Sequence, residues 1–497
     1  MFSSKLSRRR FLTGAAITAA GMALAACAPK ATPAPTAVPK PAAGQPTAAP
    51  QPTAAPGQPT AAPKPTVPPT AAPAKKEPVV IREQGGGSAV VFPFHEKCIK
   101  EKFMAEHPEI KVELEPNPDG WVEKLLTQMV AGTAPDLFEA WGNILYEWVD
   151  RNLILDLQPF VDRDFTKERI AEYTEFQWKG LVFKGIRAGM PRYINIILMY
   201  IHKDLWDKYG VPYPPEDGNY TFDDYTGWLK TLTEKARSKG DNNVWAGWIP
   251  MDNLDRFWTP VHSWGGKVVD EKYGKVCLLG EPEAQAALKW AYDMEFTWNY
   301  HSQPAQVENK WPSTSFGPGL IMSAIEGVGW LFTREKVWGE EAKIRYDLRH
   351  HPKGPTGKRS TLGTTDCWSV NKATKHPEEV WTLLQFLAGP VYQMDVAIKV
   401  NGQIPVLKSL IKDYPKLLRE VKPRLADVRL ETVIEAIEWG YPEDGPWFCD
   451  QLEAFNTYLG PALQKVFTVG EVGPEYLIDV AKQITEAQKD CVVTWPK

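Results

Sequence analysis

The chain has 497 residues with 57 Lys and Arg against 61 Asp and Glu, a formal net charge of −4 that becomes more negative once Lys5, Arg8, Arg9 and Arg10 leave with a leader segment. A mildly acidic surface excludes a nucleic-acid role, which needs clustered positive charge. The six cysteines contain no Cys-x-x-Cys pair, which excludes zinc ribbons and thioredoxin-type redox motifs.

The first element is a leader over residues 1–26. Arg8-Arg9-Arg10-Phe11-Leu12 is basic and carries a twin arginine, and Thr13 to Ala26 is small, apolar and uncharged. That run is too short for a membrane-spanning helix and has the layout of a secretory signal. The twin arginine is similar to a twin-arginine export signal. Leu24-Ala25-Ala26-Cys27 resembles the lipobox of bacterial lipoproteins, in which the cysteine becomes the lipidated N-terminus. Residues 27–77 follow as a linker of Pro, Ala, Thr, Gln, Gly and Lys. The unit Gln-Pro-Thr-Ala-Ala-Pro occupies 45–50, 51–56 and 58–63, and Val38 and Val67 are the sizeable apolar side chains of 28–76. Such a segment buries no core and favours extended polyproline II. At about 3.1 Å per residue it spans on the order of 150 Å. Lipid and spacer together read as a membrane tether.

From Glu77 onward about 420 residues remain, enough for two domains. Val79-Val80-Ile81 reads as a buried strand running into the loop Glu83-Gln84-Gly85-Gly86-Gly87-Ser88. A helix is expected over 95–107, with Ile99 and Phe103 one turn apart. Ile110 to Leu114 alternates apolar with charged residues, as a half-exposed strand does. Trp121 to Val130 has the stripe of an amphipathic helix, broken at Gly132-Thr133-Ala134-Pro135, and Asp136-Leu137-Phe138 begins another strand. Strands alternating with helices predict an α/β fold with a mainly parallel sheet and right-handed crossovers. Ligands then sit beyond the carboxyl ends of strands, here at Gln84–Ser88 and at Glu139-Ala140-Trp141. Further on come an apolar run at Ile196–Ile201 and helical patterns at 221–237, 282–297, 377–387, 452–466 and 474–487.

The motifs in order resemble the family-1 extracellular solute-binding proteins, the group that includes maltose-binding protein. The resemblance is carried by Phe103-x-x-x-His107-Pro108-Glu109-Ile110, Ala131-Gly132-Thr133-Ala134-Pro135-Asp136-Leu137, Gly189-Met190-Pro191, Met199 to Leu205, Thr221-Phe222-Asp223-Asp224, Gly265-Gly266-Lys267, Phe316 to Trp330, and Gly402-Gln403-Ile404-Pro405. It implies a two-lobed, type II periplasmic-binding-protein-like fold with a hinge, one lobe over 78–183 and 351–397, the other over 184–350 and 398–497. It also implies capture of a small molecule, a sugar above all, between the lobes, and docking on the permease of an ABC importer as a monomer. Glycine-rich Gly85-Gly86-Gly87 and Ile201-His202 depart from the family pattern.

No Gly-x-Ser-x-Gly or His-Glu-x-x-His motif is present. Gly354 to Ser360 is too short between glycines for a phosphate loop and reads as an exposed turn. Adjacent His350-His351 cannot share a helix face at metal spacing and reads as a pair of exposed loop histidines. No metal or cofactor is expected. The surplus is tryptophan, 20 in all, whose flat faces bury the C–H faces of sugar rings while polar groups bond the hydroxyls. Trp141, Trp264, Trp330, Trp368 and Trp447 are the candidates for stacking, Trp330 because that position lines the cleft in the family. Gln84, Glu139, Asn143, Tyr193, Asn195 and Asp366 are the candidate polar partners. Two other readings share these features: a secreted glycosidase, which needs two carboxylates about 5–10 Å apart in the cleft, and a binding protein for a non-sugar ligand. Cys98, Cys277, Cys367, Cys449 and Cys491 allow at most two disulfides. Folding before twin-arginine export makes buried free thiols the simpler expectation.

Overall fold

The structure, a computed structural model, describes residues 77–492 except 255, 271–273, 304–305, 307–315, 330, 365, 444 and 446, and leaves aside the side chain of Asn143. The leader, Cys27, the proline-rich linker and Trp330 therefore lie outside the described residues.

Strand β1 (Val79–Gly85) pairs in parallel with β2 (Ile110–Pro116), from Val79 opposite Ile110 to Gly85 opposite Pro116. Its other edge pairs in parallel with β3 (Leu137–Ala140). The connections are helical, over 92–106 with a wider π-type turn at Ile99–Phe103, and over Trp121–Ala131. The second helix stops where the sequence breaks: Gly132 takes φ 70°, the left-handed C-terminal position that favours glycine. Short strands β4 (Val182–Phe183) and β5 (Ile186–Arg187) form a hairpin. Strand β6 (Met190–Pro191) then lies antiparallel to β11 (Cys367–Val370), which is itself antiparallel to β3. The sheet order is β2-β1-β3-β11-β6. The chain stays with this sheet through Pro191, and Leu181, Phe183 and Ala188 are buried with Phe138 and Trp148.

The apolar run becomes β7 (Ile197–His202), the centre of a second sheet between β8 (Ser323–Gly327) and β9 (Tyr346–Arg349), both antiparallel to it. All six residues of β7 are buried, because both faces are covered. Ile197, Met199 and Ile201 pack with Tyr225, Leu229 and Leu232 of helix Phe222–Ser238. Leu198 and Tyr200 pack on the other side with Trp338, Tyr414 and Leu418. This strict alternation is the period-two geometry of a strand. Thr221 and Asp224 close a capping box at the start of helix Phe222–Ser238.

Between the sheets the chain runs through 192–196 and 350–366, where Ile194 bridges to Ile404 and Ile196 to Gly363. Strand β10 (Thr361–Leu362) pairs in parallel with β12 (Pro442–Glu443). Among the described residues no helix is long and apolar enough to cross a membrane.

Two readings of the sequence are corrected. His350 and His351 are buried, not exposed: the His350 ring nitrogens lie 2.8 Å from the Tyr441 hydroxyl and 2.9 Å from a Glu435 carboxylate oxygen. They follow directly on β9, all four residues of which are buried, and continue its burial. The cysteines are not all free thiols. Cys449 and Cys491 form a disulfide across 42 positions of sequence, and Cys98, Cys277 and Cys367 are buried free thiols.

Candidate functional site

A cavity of about 600 Å³ lies between the two sheets. One wall is built from the segments that leave the carboxyl ends of the parallel strands: Gly87–Ala89 after β1, Pro116–Trp121 after β2, and Glu139, Trp141 and Gly142 at the end of β3. The facing wall comes from the core around the second sheet and carries Leu254, Arg256, Trp258, Trp447 and Phe455. The floor is the pair of connecting segments, with Arg192, Tyr193, Asn195, Leu362, Thr364 and Asp366. Parallel strands leave backbone amides and loop side chains at their carboxyl ends, so this placement is the one the topology favours.

The aromatic groups stand in two sets. Trp121 and Trp141 meet edge to face at 5.5 Å on the first wall. Trp447 on the second wall lies 4.2 Å, ring to ring, from Tyr146 of helix Gly142–Asp150, so the walls touch across one side of the cavity.

The polar floor is tightly wired. A buried ion pair joins Arg192 Nη2 to Glu139 Oε1 at 2.6 Å. Glu139 also accepts from the Gly87 amide at 2.9 Å and from Asn117 Nδ2 at 3.2 Å. Burial opposes the Arg192 charge, and Glu139, Tyr193, Tyr392 and Asp366 together more than restore it, holding the guanidinium above its ordinary pKa. Tyr193 donates to Asp366 Oδ1 at 3.0 Å, and the Thr364 hydroxyl donates to Oδ2. Burial raises the Asp366 carboxyl above its ordinary pKa, against the lowering pull of Thr364, Arg192 and Tyr193. Asn195 Oδ1 accepts from the Gly329 amide at 2.7 Å. Behind the cavity, Glu83 Oε2 lies 3.0 Å from His95, whose other ring nitrogen lies 2.8 Å from the Tyr392 hydroxyl.

The three consecutive glycines now have a physical reason. A Cβ on Gly86 would sit 2.4 Å from the His95 ring, and one on Gly85 2.8 Å from Glu139 Cγ and Trp368 Cζ3. The loop crosses the buried network at contact distance, which only glycine permits.

Of the residues singled out from sequence, Glu139, Trp141, Tyr193, Asn195, Asp366 and Trp447 line the cavity. Three lie elsewhere. Gln84 is buried behind the wall and donates to Asn117 Oδ1 at 3.1 Å. Trp264 packs on Phe222 and Trp290 at 4.3 and 5.3 Å. Trp368 is wholly buried in β11, stacked on His95 at 5.9 Å. Asn143 belongs to the first turn of helix Gly142–Asp150. Asn117, Asp119, Trp121, Arg192, Arg256, Trp258 and Thr364 line the cavity without having been singled out. The strand-end rule applied to β2, as it was to β1 and β3, finds Asn117, Asp119 and Trp121. Among the described residues no cluster of three or more His, Cys, Asp or Glu is placed to hold a metal ion.

The profile of the bacterial extracellular solute-binding protein family matches residues 84–394. A binding protein of Brucella abortus (strain 2308) is 26% identical over 338 residues, 66% of this chain and 76% of that protein. Among solved structures, an ABC substrate-binding protein of Listeria monocytogenes in complex with cycloalternan superposes with a TM-score of 0.67 at 21% identity, covering 83% of this chain and 99% of that one. UgpB of Mycobacterium tuberculosis in complex with glycerophosphocholine superposes with a TM-score of 0.67 at 16% identity, covering 83% and 98%. At these identities the two structures speak for a shared fold.

Proposed function

We propose, from the premise that this chain belongs to the bacterial extracellular solute-binding protein family, that it captures an oligosaccharide in the cavity and hands it to the permease of an ABC importer. Its fold is the α/β, two-lobed type II periplasmic-binding-protein fold. The two sheets with their cores are taken as the lobes, and 192–196 with 350–366 as hinge segments. The observation that carries the ligand class is the presence of partly exposed aromatic rings on both walls, Trp121 and Trp141 against Trp447, with a polar floor. Sugar rings offer apolar C–H faces to such walls and hydroxyls to such a floor. A cavity of about 600 Å³ is in the range of small-molecule sites that enclose most of their ligand. The Listeria protein of this fold carries cycloalternan.

Capture takes place without chemistry in this reading. The two buried carboxylates that line the cavity already accept from structural donors: Glu139 from Arg192, Gly87 and Asn117, and Asp366 from Tyr193 and Thr364. A glycosidase needs one such group to give its proton to a leaving oxygen and another to activate water or attack. Ligand contacts to both walls favour the closed arrangement over an open one. Cys27 is taken as the lipidated end of the mature, monomeric protein, with the linker as its tether to the outer face of the cell membrane.

Calorimetry with cycloalternan, maltotetraose and glycerophosphocholine, each followed by chromatography of the recovered ligand, tests the reading. The expected result is saturable binding of an oligosaccharide recovered intact. Binding of glycerophosphocholine alone moves the protein to a non-sugar ligand, and recovery of cleaved oligosaccharide makes it an enzyme.

A further inference from the structure

The second wall of the cavity ends in a segment with little regular structure. After β12, Gly445 and Trp447 line the cavity, and the chain then enters helical structure at Gln451. The residues directly after Trp447 are tied to the far end of the chain. Cys449 is bonded to Cys491, three residues past helix Tyr476–Gln488. The Asp450 amide donates to Gln488 Oε1 at 2.6 Å, and Gln488 Nε2 donates back to the Asp450 carbonyl at 3.1 Å. The Cys449 amide donates to the Gly274 carbonyl at 2.8 Å. The fully buried Gln488 thus continues by hydrogen bonds the bracket that the disulfide makes covalently.

We infer that the Cys449–Cys491 disulfide is a positioning device for the ligand cleft, holding Trp447 against the cavity, so that the order of this wall depends on the redox state of the bond. The two partners of the bond differ in what else holds them. Helix Tyr476–Gln488 buries Leu477, Val480, Ala481 and Ile484 in the second core and is fixed without the bond. The segment around Trp447 has the two-residue β12 on one side, the bracket on the other, and one buried apolar side chain between, Phe448 against Phe455, where the helix has four. Loss of the covalent tie two residues from Trp447 therefore frees the wall more than the helix. A wall that must be ordered when ligand arrives binds more weakly than one already in place. Cys491 is only partly buried, within reach of a small reductant. Reduction by dithiothreitol breaks the S–S bond, gives two thiols with the uptake of two electrons and two protons, and leaves the reagent as its cyclic disulfide.

The consequence for binding rests on the cavity being the ligand site, so the test reads the wall without ligand. Amide hydrogen exchange by mass spectrometry is compared for the full chain, oxidised and after dithiothreitol, and for Cys491→Ser. Exchange at 447–451 is expected to accelerate about tenfold or more, with a much smaller change over 477–488. Tryptophan emission should shift on reduction in the wild type and not in Trp447→Phe. Unchanged exchange at 447–451, or an equal acceleration over 477–488, overturns the inference and makes the bond a staple for the C-terminus. If Cys491→Ser does not fold, the reduced wild type still decides.

Discussion

Two tryptophans of the same sequence-level standing occupy opposite environments, and their substitutions separate binding from folding. Trp141 is half-buried on the cavity wall, whereas Trp368 is wholly buried in β11. Trp141→Ala is expected to weaken ligand binding tenfold to a few hundredfold, about 1.4–3.5 kcal/mol, with little change in unfolding. Trp368→Ala should cost about 3–5 kcal/mol of stability. Calorimetry and urea unfolding on both variants check the contrast, and a Trp141 variant that binds normally removes it from the site. The Glu139–Arg192 pair tests a different physics. Both side chains are less than one-tenth exposed, so Glu139→Ala strands a buried guanidinium. The expected loss is about 3–5 kcal/mol, read by urea unfolding of the ligand-free protein, and Arg192→Met with Glu139→Leu together should recover much of it.

At the scale of elements, the loop after β1 is the most constrained stretch of the first wall. Gly86 has φ +78°, and a Cβ there meets the His95 ring at 2.4 Å. His95 is itself held between Glu83 and Tyr392, so it has nowhere to go. Gly86→Ala should therefore cost more than the about 1–3 kcal/mol of left-handed backbone strain. It should also move the Gly87 amide off Glu139, to which it donates at 2.9 Å. A thermal melt reads the first effect. A normal melting temperature in Gly86→Ala would falsify the packing account of the triple glycine.

At the scale of the whole molecule, closure and acid stability are the measurable properties. The Tyr146–Trp447 contact at 4.2 Å joins the two walls. Ligand-free protein is expected to populate an arrangement in which it is broken, and saturating oligosaccharide to restore it. Small-angle scattering on a chain starting at Glu77 should show a smaller radius of gyration with ligand, and an unchanged radius counts against hinge closure. Acid stability follows from histidines spread over the molecule. Burial pushes His301 and His351 down to about 3, with Arg359 and His350 adding to the effect at His351, and His202 down to about 4. The folded state keeps these rings neutral, while an unfolded chain protonates them near its ordinary value of about 6.5. Their stabilising contribution is thus complete above about pH 6.5 and is lost progressively as pH falls toward about 3. His301→Asn should flatten the dependence between pH 6 and 4 by close to one proton, about 1.4 kcal/mol per pH unit. Urea midpoints across that range decide it. For the tether, Cys27→Ser should release the protein from membranes on cell fractionation, and a wild type already soluble would refute the anchor.

Several features were set by local sequence. The parallel run β1 to β3 was legible because strand alternation, the helical stripe from Trp121 and the break at Gly132 are local patterns with one physical solution each. The apolar run Ile196–Ile201 was legible as a run, and the structure makes Ile197–His202 the buried β7, covered on both faces. Glu139, Trp141, Tyr193, Asn195, Asp366 and Trp447 reach the cavity from strand ends and turns that the sequence marks. What only the tertiary structure decided is what lies across from each residue. Trp368 is buried because His95, far away in sequence, stacks on it. Trp264 is taken up by Phe222 and Trp290. His350 and His351 are buried because the chain continues inward past β9. Cys449 finds Cys491 because the last helix packs beside the wall that carries Trp447. Composition and periodicity record a residue's own chemistry and its near neighbours. Burial, pairing and access to the cleft depend on partners brought close only by folding, and no local pattern encodes them.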